Sequence, residues 1–260
     1  MAMIEGIYRY PVKGLGSERL ADATITAGQG LAGDRAYAIA LGTTGFDPAA
    51  PVHLSKMKFA TLMTHPRLAA LAADFRSAPG RLRLSRKGDP VLDVSLDDPG
   101  EIAEFDRFIS EFVDDRAKGP LRLVTAPNHM FSDVREDCLS IINLASVAAL
   151  GAALGRPIDP LRFRANIYVS GLPAWQERGW QAGDVIGLGY GQASVMRPIT
   201  RCAAVNVDLD SAEIDADLPT LLRREFGQNA MGVYIDAIGT TRIAIGDIMT
   251  DAEKGNDGDV

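Results

Sequence analysis

The chain has 260 residues, 47% hydrophobic and 23% charged, enough to build one large or two small packed cores and outside the range of intrinsic disorder. Its formal net charge of −7 argues against a polyanion such as nucleic acid as the main partner, so an anionic ligand has to meet a local basic pocket. Two cysteines, Cys138 and Cys202, exclude a disulfide framework, and without a C-x-x-C pair there is no site for zinc or an iron–sulfur cluster.

The opening MAMIEGIYRYPVKG breaks its apolar run at Glu5 and Arg9 and so lacks the apolar core of a signal peptide. No run is long enough for a membrane span, and a cytoplasmic protein is expected. Short segments with β-branched residues or alternation, bounded by Gly, Pro or Asp, predict strands over 4–10, 23–27, 35–41, 81–85, 91–96 and 121–125. Between the last two, Ile102, Phe105, Phe108, Ile109 and Phe112 recur at helical spacing behind an Asp-Asp-Pro cap and predict a helix over 101–115. Further helices are expected over 143–154 and around Leu221, and further strands over 167–170, 184–190, 193–197, 203–207, 232–238 and 241–248.

Strands outnumber helices and do not alternate with them, which excludes a doubly wound parallel sheet. The expected fold is mainly β, of the α+β class: a β-rich domain over 1–118, a β-barrel-like domain over 119–250 and a disordered polar tail over 251–260.

The stretch GQGLAGDR, from Gly28 to Arg35, contains G-x-G-x-x-G, but the alternating RAYAIAL that follows reads as a strand where a dinucleotide site needs a helix. His53, His65 and His129 lie far apart without metal-ligand spacing, and Ser140 and Ser146 sit in no nucleophile elbow. Three basic residues stand in turn-like contexts: Lys13 in YPVKGLG, Arg35 in GLAGDRAYAI and Arg164 in RFRANIYV. Each is compatible with an ordinary surface charge, but together with Arg201 they could form an anion pocket. In RPITRCAAVNVD, Cys202 follows that arginine. A thiolate beside a guanidinium is a good nucleophile or metal ligand, whereas a free cysteine elsewhere packs as a small hydrophobe.

These stretches, with Trp180 to Asp184, GVYIDAIG and IAIGDIM, follow the order and approximate spacing of MOSC-domain proteins, and the chain resembles that family over nearly its whole length. The family is related to the C-terminal domain of molybdenum cofactor sulfurase and to the mitochondrial amidoxime-reducing component. The resemblance implies a MOSC N-terminal β-barrel domain followed by a MOSC domain, with a pterin-based molybdenum cofactor in the cleft between them. By position it implies Cys202 as molybdenum ligand, Lys13, Arg35 and Arg164 as holders of phosphate and pterin, and Asn166, Thr200 and Arg201 as further cofactor-binding residues beside them. Asp133 and Tyr234 are candidates for proton supply.

The implied activity is a molybdenum-dependent reductase acting on the N–O bond of small N-hydroxylated compounds. Lacking cysteines for an iron–sulfur cluster, it would take electrons from a separate ferredoxin- or flavoprotein-type donor, with no nucleic acid or membrane partner. Two alternatives stay open: a sulfur carrier using a Cys202 persulfide, and a non-catalytic carrier of the cofactor. Two departures stand out: Ala165 where the family usually has proline, expected to loosen the turn, and Val134 and Arg135 where relatives offer small hydroxyl residues.

Overall fold

A computed structural model of the chain describes residues 1–75, 80–113 and 119–253. Its strands are β1 (Ala2–Arg9), β2 (Val12–Lys13), β3 (Glu18–Leu20), β4 (Asp22–Thr26), β5 (Tyr37–Ala40), β6 (Ala72–Asp74), β7 (Arg81–Arg86) and β8 (Asp89–Ser95). After these come β9 (Arg122–Thr125), β10 (Leu139–Asn143), β11 (Ile167–Ser170), β12 (Val185–Leu188), β13 (Gly191–Thr200), β14 (Ala230–Ile238), β15 (Thr240–Ala244) and β16 (Ile248–Met249). Three α-helices are described: α1 (Pro99–Val113), α2 (Leu144–Leu154) and α3 (Leu218–Phe226). The fold is mainly β, as the sequence predicts, and no described helix is long and apolar enough to cross a membrane.

Seven strands close a barrel in the order β11-β10-β14-β13-β12-β16-β1, and β1 returns to β11. Only the β10–β11 pair in this ring is parallel. The closing strand comes from the start of the chain. Ile4 and Ile7 of β1 are fully buried among Ile141, Val169, Ile186 and Ile235, and each such side chain contributes roughly 1.5–3 kcal/mol through burial. Closure therefore depends on contacts between the two ends of the sequence.

A second core lies under the three-stranded sheet β2-β5-β9 and the meander β6-β7-β8. Helix α1 begins where Asp98 Oδ1 accepts the backbone N–H groups of Gly100 and Glu101, at 2.7 and 3.1 Å. Phe105, Ile109 and Val113 of α1 are buried on that core. Ile102, Phe108 and Phe112 of the predicted stripe lie at its half-buried flanks. A third core joins α2 and α3 to the outside of the barrel through Val147, Leu150, Leu221 and Leu222.

The predicted helix end at Asp115, the domain boundary at Lys118 and most of the predicted tail, 254–260, lie outside the described residues. Two expectations need correction, and one strand is not predicted. Residues 203–206 form a 3₁₀ turn rather than a strand. The expected strand 241–248 is two strands separated by a turn at Gly246, whose φ of +93° suits glycine. The fully buried β10 runs straight into α2, whose cap is Asn143 accepting Ala145 N–H at 3.0 Å; only the helix is legible in that continuous apolar run.

Candidate functional site

Where the barrel meets the β2-β5-β9 sheet, a cleft of about 370 Å³ opens. All nine side chains singled out from the sequence line it: Lys13, Arg35, Asp133, Arg164, Asn166, Thr200, Arg201, Cys202 and Tyr234. Seven basic residues and a single carboxylate face this space in a chain whose net charge is −7. That is the local basic pocket an anionic ligand requires.

Arg35 and Arg164 both adopt left-handed backbone conformations, with φ of +49° and +51°. Such strain in a non-glycine residue persists only where neighbours over-determine it. Arg35 is held by its N–H on Tyr10 O at 2.8 Å and by Phe131 N–H on its own carbonyl at 2.8 Å. Arg164 closes the turn Pro160–Phe163, donating its N–H to Leu161 O at 3.0 Å. The two guanidinium groups lie 5.1 and 4.4 Å from the ring centroid of the buried Tyr10. Burial pushes the Tyr10 phenol up to about 12, so it stays neutral between them.

Asp34 is the counter-ion: it accepts from Arg35, from Asn166 Nδ2 at 3.1 Å and from Tyr10 N–H at 2.7 Å. Arg164 is less well served. Its Nη1 donates to Leu15 O at 2.7 Å, while its buried Nη2 has no acceptor. Burial, then the neighbouring Arg35 charge, lowers its pKa. A buried guanidinium N–H without an acceptor is costly, and an arriving anion would satisfy it.

Ala165 behaves differently from expectation. Its N–H donates to Tyr168 Oη at 3.0 Å, and that hydroxyl meets Tyr10 Oη at 3.2 Å. The hydrogen bond that a proline would lack ties the turn to the tyrosine pair, so the turn is anchored rather than loosened.

Three of the sequence-predicted ligands have polar groups already engaged. Lys13 Nζ donates to Phe131 O at 2.9 Å, Ser132 O at 3.1 Å and Asp133 Oδ1 at 2.6 Å, which uses its three N–H bonds. Asn166 accepts from Ser140 N and Oγ at 3.2 and 2.9 Å and donates to Tyr8 O and Asp34. Arg201 donates Nε and Nη2 to Met231 O and Nη1 to Phe163 O. Asn166 therefore ties β10 and β1 to Asp34 through its side chain. Lys13 offers the cleft charge with its donors already engaged, whereas Arg201 keeps N–H bonds beyond the three it gives to Met231 O and Phe163 O. Burial brings Arg201 down to about 10, which leaves it protonated at neutral pH.

Asp133 sits between Lys13 and Lys56. Against the raising effect of burial, the two lysines hold its carboxyl at about 2. Burial raises the pKa of Tyr234, which therefore keeps its phenolic proton at neutral pH. Cys202 is half-buried at the start of the 203–206 turn, and Thr200 is exposed at the cleft rim.

Two lining residues had no signal in the sequence. Lys56 stands in a connecting segment, 3.5 Å from Asp133 Oδ2. Cys138 precedes β10, is buried, and has its thiol pushed up to about 12 by burial. Among the described residues no three His, Cys, Asp or Glu side chains gather as a metal site.

A family model described as the MOSC N-terminal beta barrel domain matches residues 1–122, and one described as the MOSC domain matches residues 126–250. Comparison with curated proteins gave no match. Among solved structures, the YuaD protein from Bacillus subtilis is 14% identical, with 96% of this chain and 94% of that chain covered and a TM-score of 0.46. YiiM from Geobacillus stearothermophilus is 20% identical over 46% of this chain and 56% of its own, at a TM-score of 0.36. YiiM from Escherichia coli is 15% identical over 44% and 54%, at 0.31.

Proposed function

Because the chain belongs to the MOSC family across both of its domains, we propose that the cleft binds a pterin-type molybdenum cofactor and that the protein reduces N-hydroxylated compounds. The observation that carries this reading is one cavity lined both by a soft sulfur ligand, Cys202, and by Arg164, whose buried Nη2 lacks an acceptor.

The donor set fits such a group. Cys202 could provide one thiolate, and with no cluster of further ligands among the described residues, the metal would have to arrive with donors of its own. Arg35 and Arg164 would hold the anionic phosphate and the pterin, Lys13 and Arg201 adding positive charge from behind. The cleft volume lies in the usual range for small-molecule sites. When bound, a cofactor of this kind supplies two-electron chemistry and an acceptor for the substrate oxygen.

The chain's own residues bind, orient and protonate. Breaking the N–O bond consumes two electrons and two protons and releases the oxygen as water. Tyr234 keeps a phenolic proton at the cleft for this purpose. The electrons would come from a separate carrier protein with an iron–sulfur or flavin centre, because two cysteines are too few for a cluster here.

The test is reduction of benzhydroxamic acid to benzamide by molybdenum-loaded protein with reduced methyl viologen as donor. Product formation in proportion to bound molybdenum supports the reading. Loaded protein that reduces no N-hydroxylated compound would favour a cofactor carrier, and metal-free protein with a persulfide on Cys202 would favour a sulfur carrier.

A further inference from the structure

The cations of the cleft differ in how much hydrogen-bonding capacity they have left. Lys13 has all three N–H bonds engaged. Arg201 is turned onto two backbone carbonyls. Arg197 forks onto Glu136 at 3.0 and 2.7 Å, and Arg162 is held by Asp208 and Asp215. Arg164 keeps an unpartnered nitrogen, which the functional reading assigns to the cofactor.

Arg35 donates to Asp34 and to Arg164 O at 3.0 Å, and Lys56 is held more loosely. Its ammonium makes one long hydrogen bond, 3.5 Å to Asp133 Oδ2, and that carboxylate is already bound by Lys13 at 2.6 Å. The Lys56 side chain is 31% exposed and lines the cleft. Cys202 lines the same cleft.

The turn that carries Lys56 is fixed. Ser55 caps it, Lys58 N–H donates to Ser55 O at 2.9 Å, and Lys58 O accepts from Leu41 N–H at 3.0 Å and Thr44 Oγ1 at 2.7 Å. The backbone that carries this positive charge is thus fixed at the wall of the cleft that Cys202 also lines.

We propose that Lys56 is the substrate-binding residue that receives the reducible oxygen of an N-hydroxylated substrate beside Cys202. The assignment rests on the functional reading above. A hydroxyl or anionic oxygen bound to nitrogen would accept the free Lys56 N–H bonds, whereas the reduced product, lacking that oxygen, would not. Lys56 therefore favours substrate over product and helps to clear the cleft after each turnover.

The experiment is isothermal titration of molybdenum-loaded protein, without electron donor, with benzhydroxamic acid and with benzamide, accompanied by metal analysis. Wild type should bind the hydroxamic acid about tenfold or more tightly than the amide, the effect of one charge-assisted hydrogen bond. Lys56→Gln should lose most of that preference with unchanged molybdenum content, and Lys56→Arg should keep it. A Lys56→Gln protein that keeps the preference overturns the proposal, and so does one that loses its molybdenum, because Lys56 would then hold cofactor. Wild-type protein that carries no molybdenum overturns the functional reading and this proposal together, so the two failures are distinct.

Discussion

Arg164→Met separates binding from stability, because the wild-type side chain is poorly satisfied without a ligand. Methionine fills much of the same space and removes the guanidinium. The empty protein loses the Leu15 O hydrogen bond, 2.7 Å long and worth about 1.5–3 kcal/mol. It also loses the contact with the Tyr10 ring at 4.4 Å, worth about 0.5–2 kcal/mol. In return it no longer buries Nη2 without an acceptor, a relief of about 1–3 kcal/mol. The repulsion from Arg35 also ends. These effects nearly cancel, so urea unfolding of cofactor-free wild type and variant should differ by no more than about 2 kcal/mol. Cofactor affinity should nevertheless fall by about one to two decades through loss of a charge-assisted contact. The assay is molybdenum content per chain after loading with limiting cofactor, beside the unfolding curves. Full occupancy in the variant would refute the reasoning, as would a loss of more than about 4 kcal/mol in the empty protein, which would make Arg164 a structural residue first.

Other outcomes follow from the same geometry. Asp133 has a depressed folded pKa of about 2, so its stabilising contribution is present above the unfolded carboxylate pKa and is lost as pH falls from about 4 toward 2. Its side chain is 42% exposed, which keeps the effect small; urea titrations should show Asp133→Asn weakening the pH dependence in that window. Native alkylation with iodoacetamide, read by mass spectrometry, should label Cys202 and spare the buried Cys138, whose thiol sits at about 12, until the protein unfolds. Arg162, 2% exposed, holds Asp208 and Asp215, and Arg162→Ala should cost about 3–5 kcal/mol in urea unfolding by leaving that charge network broken.

Much of the architecture was legible because local patterns coincide with tertiary burial. The alternation in β7 and β8 and the helical stripe of α1 each mark one buried face. Non-local features were less legible. Nothing in the first ten residues announces that β1 closes a ring with β11 and β16, and the apolar run of β10 carries no period of its own. At the site, the resemblance brought nine residues to one cleft but did not reveal which donors were free. Lys13 and Asn166 look like ligands in sequence, and only their hydrogen-bond partners show that their capacity is already taken. Lys56 escaped notice because a single half-buried lysine in a connecting segment has no pattern, and its meaning comes from Asp133 and the cleft across the fold.

The most direct test of the central claim is the molybdenum and pterin content of the protein purified from a host that makes the cofactor. Wild-type protein should carry both in amounts equimolar with the chain, and Cys202→Ser should lose the metal while its far-ultraviolet circular dichroism stays unchanged. A hydroxyl is a harder and poorer ligand for this centre than a thiolate. Background molybdenum and pterin in the wild type, under conditions in which the same host loads a known molybdenum enzyme, would contradict the assignment of the cleft.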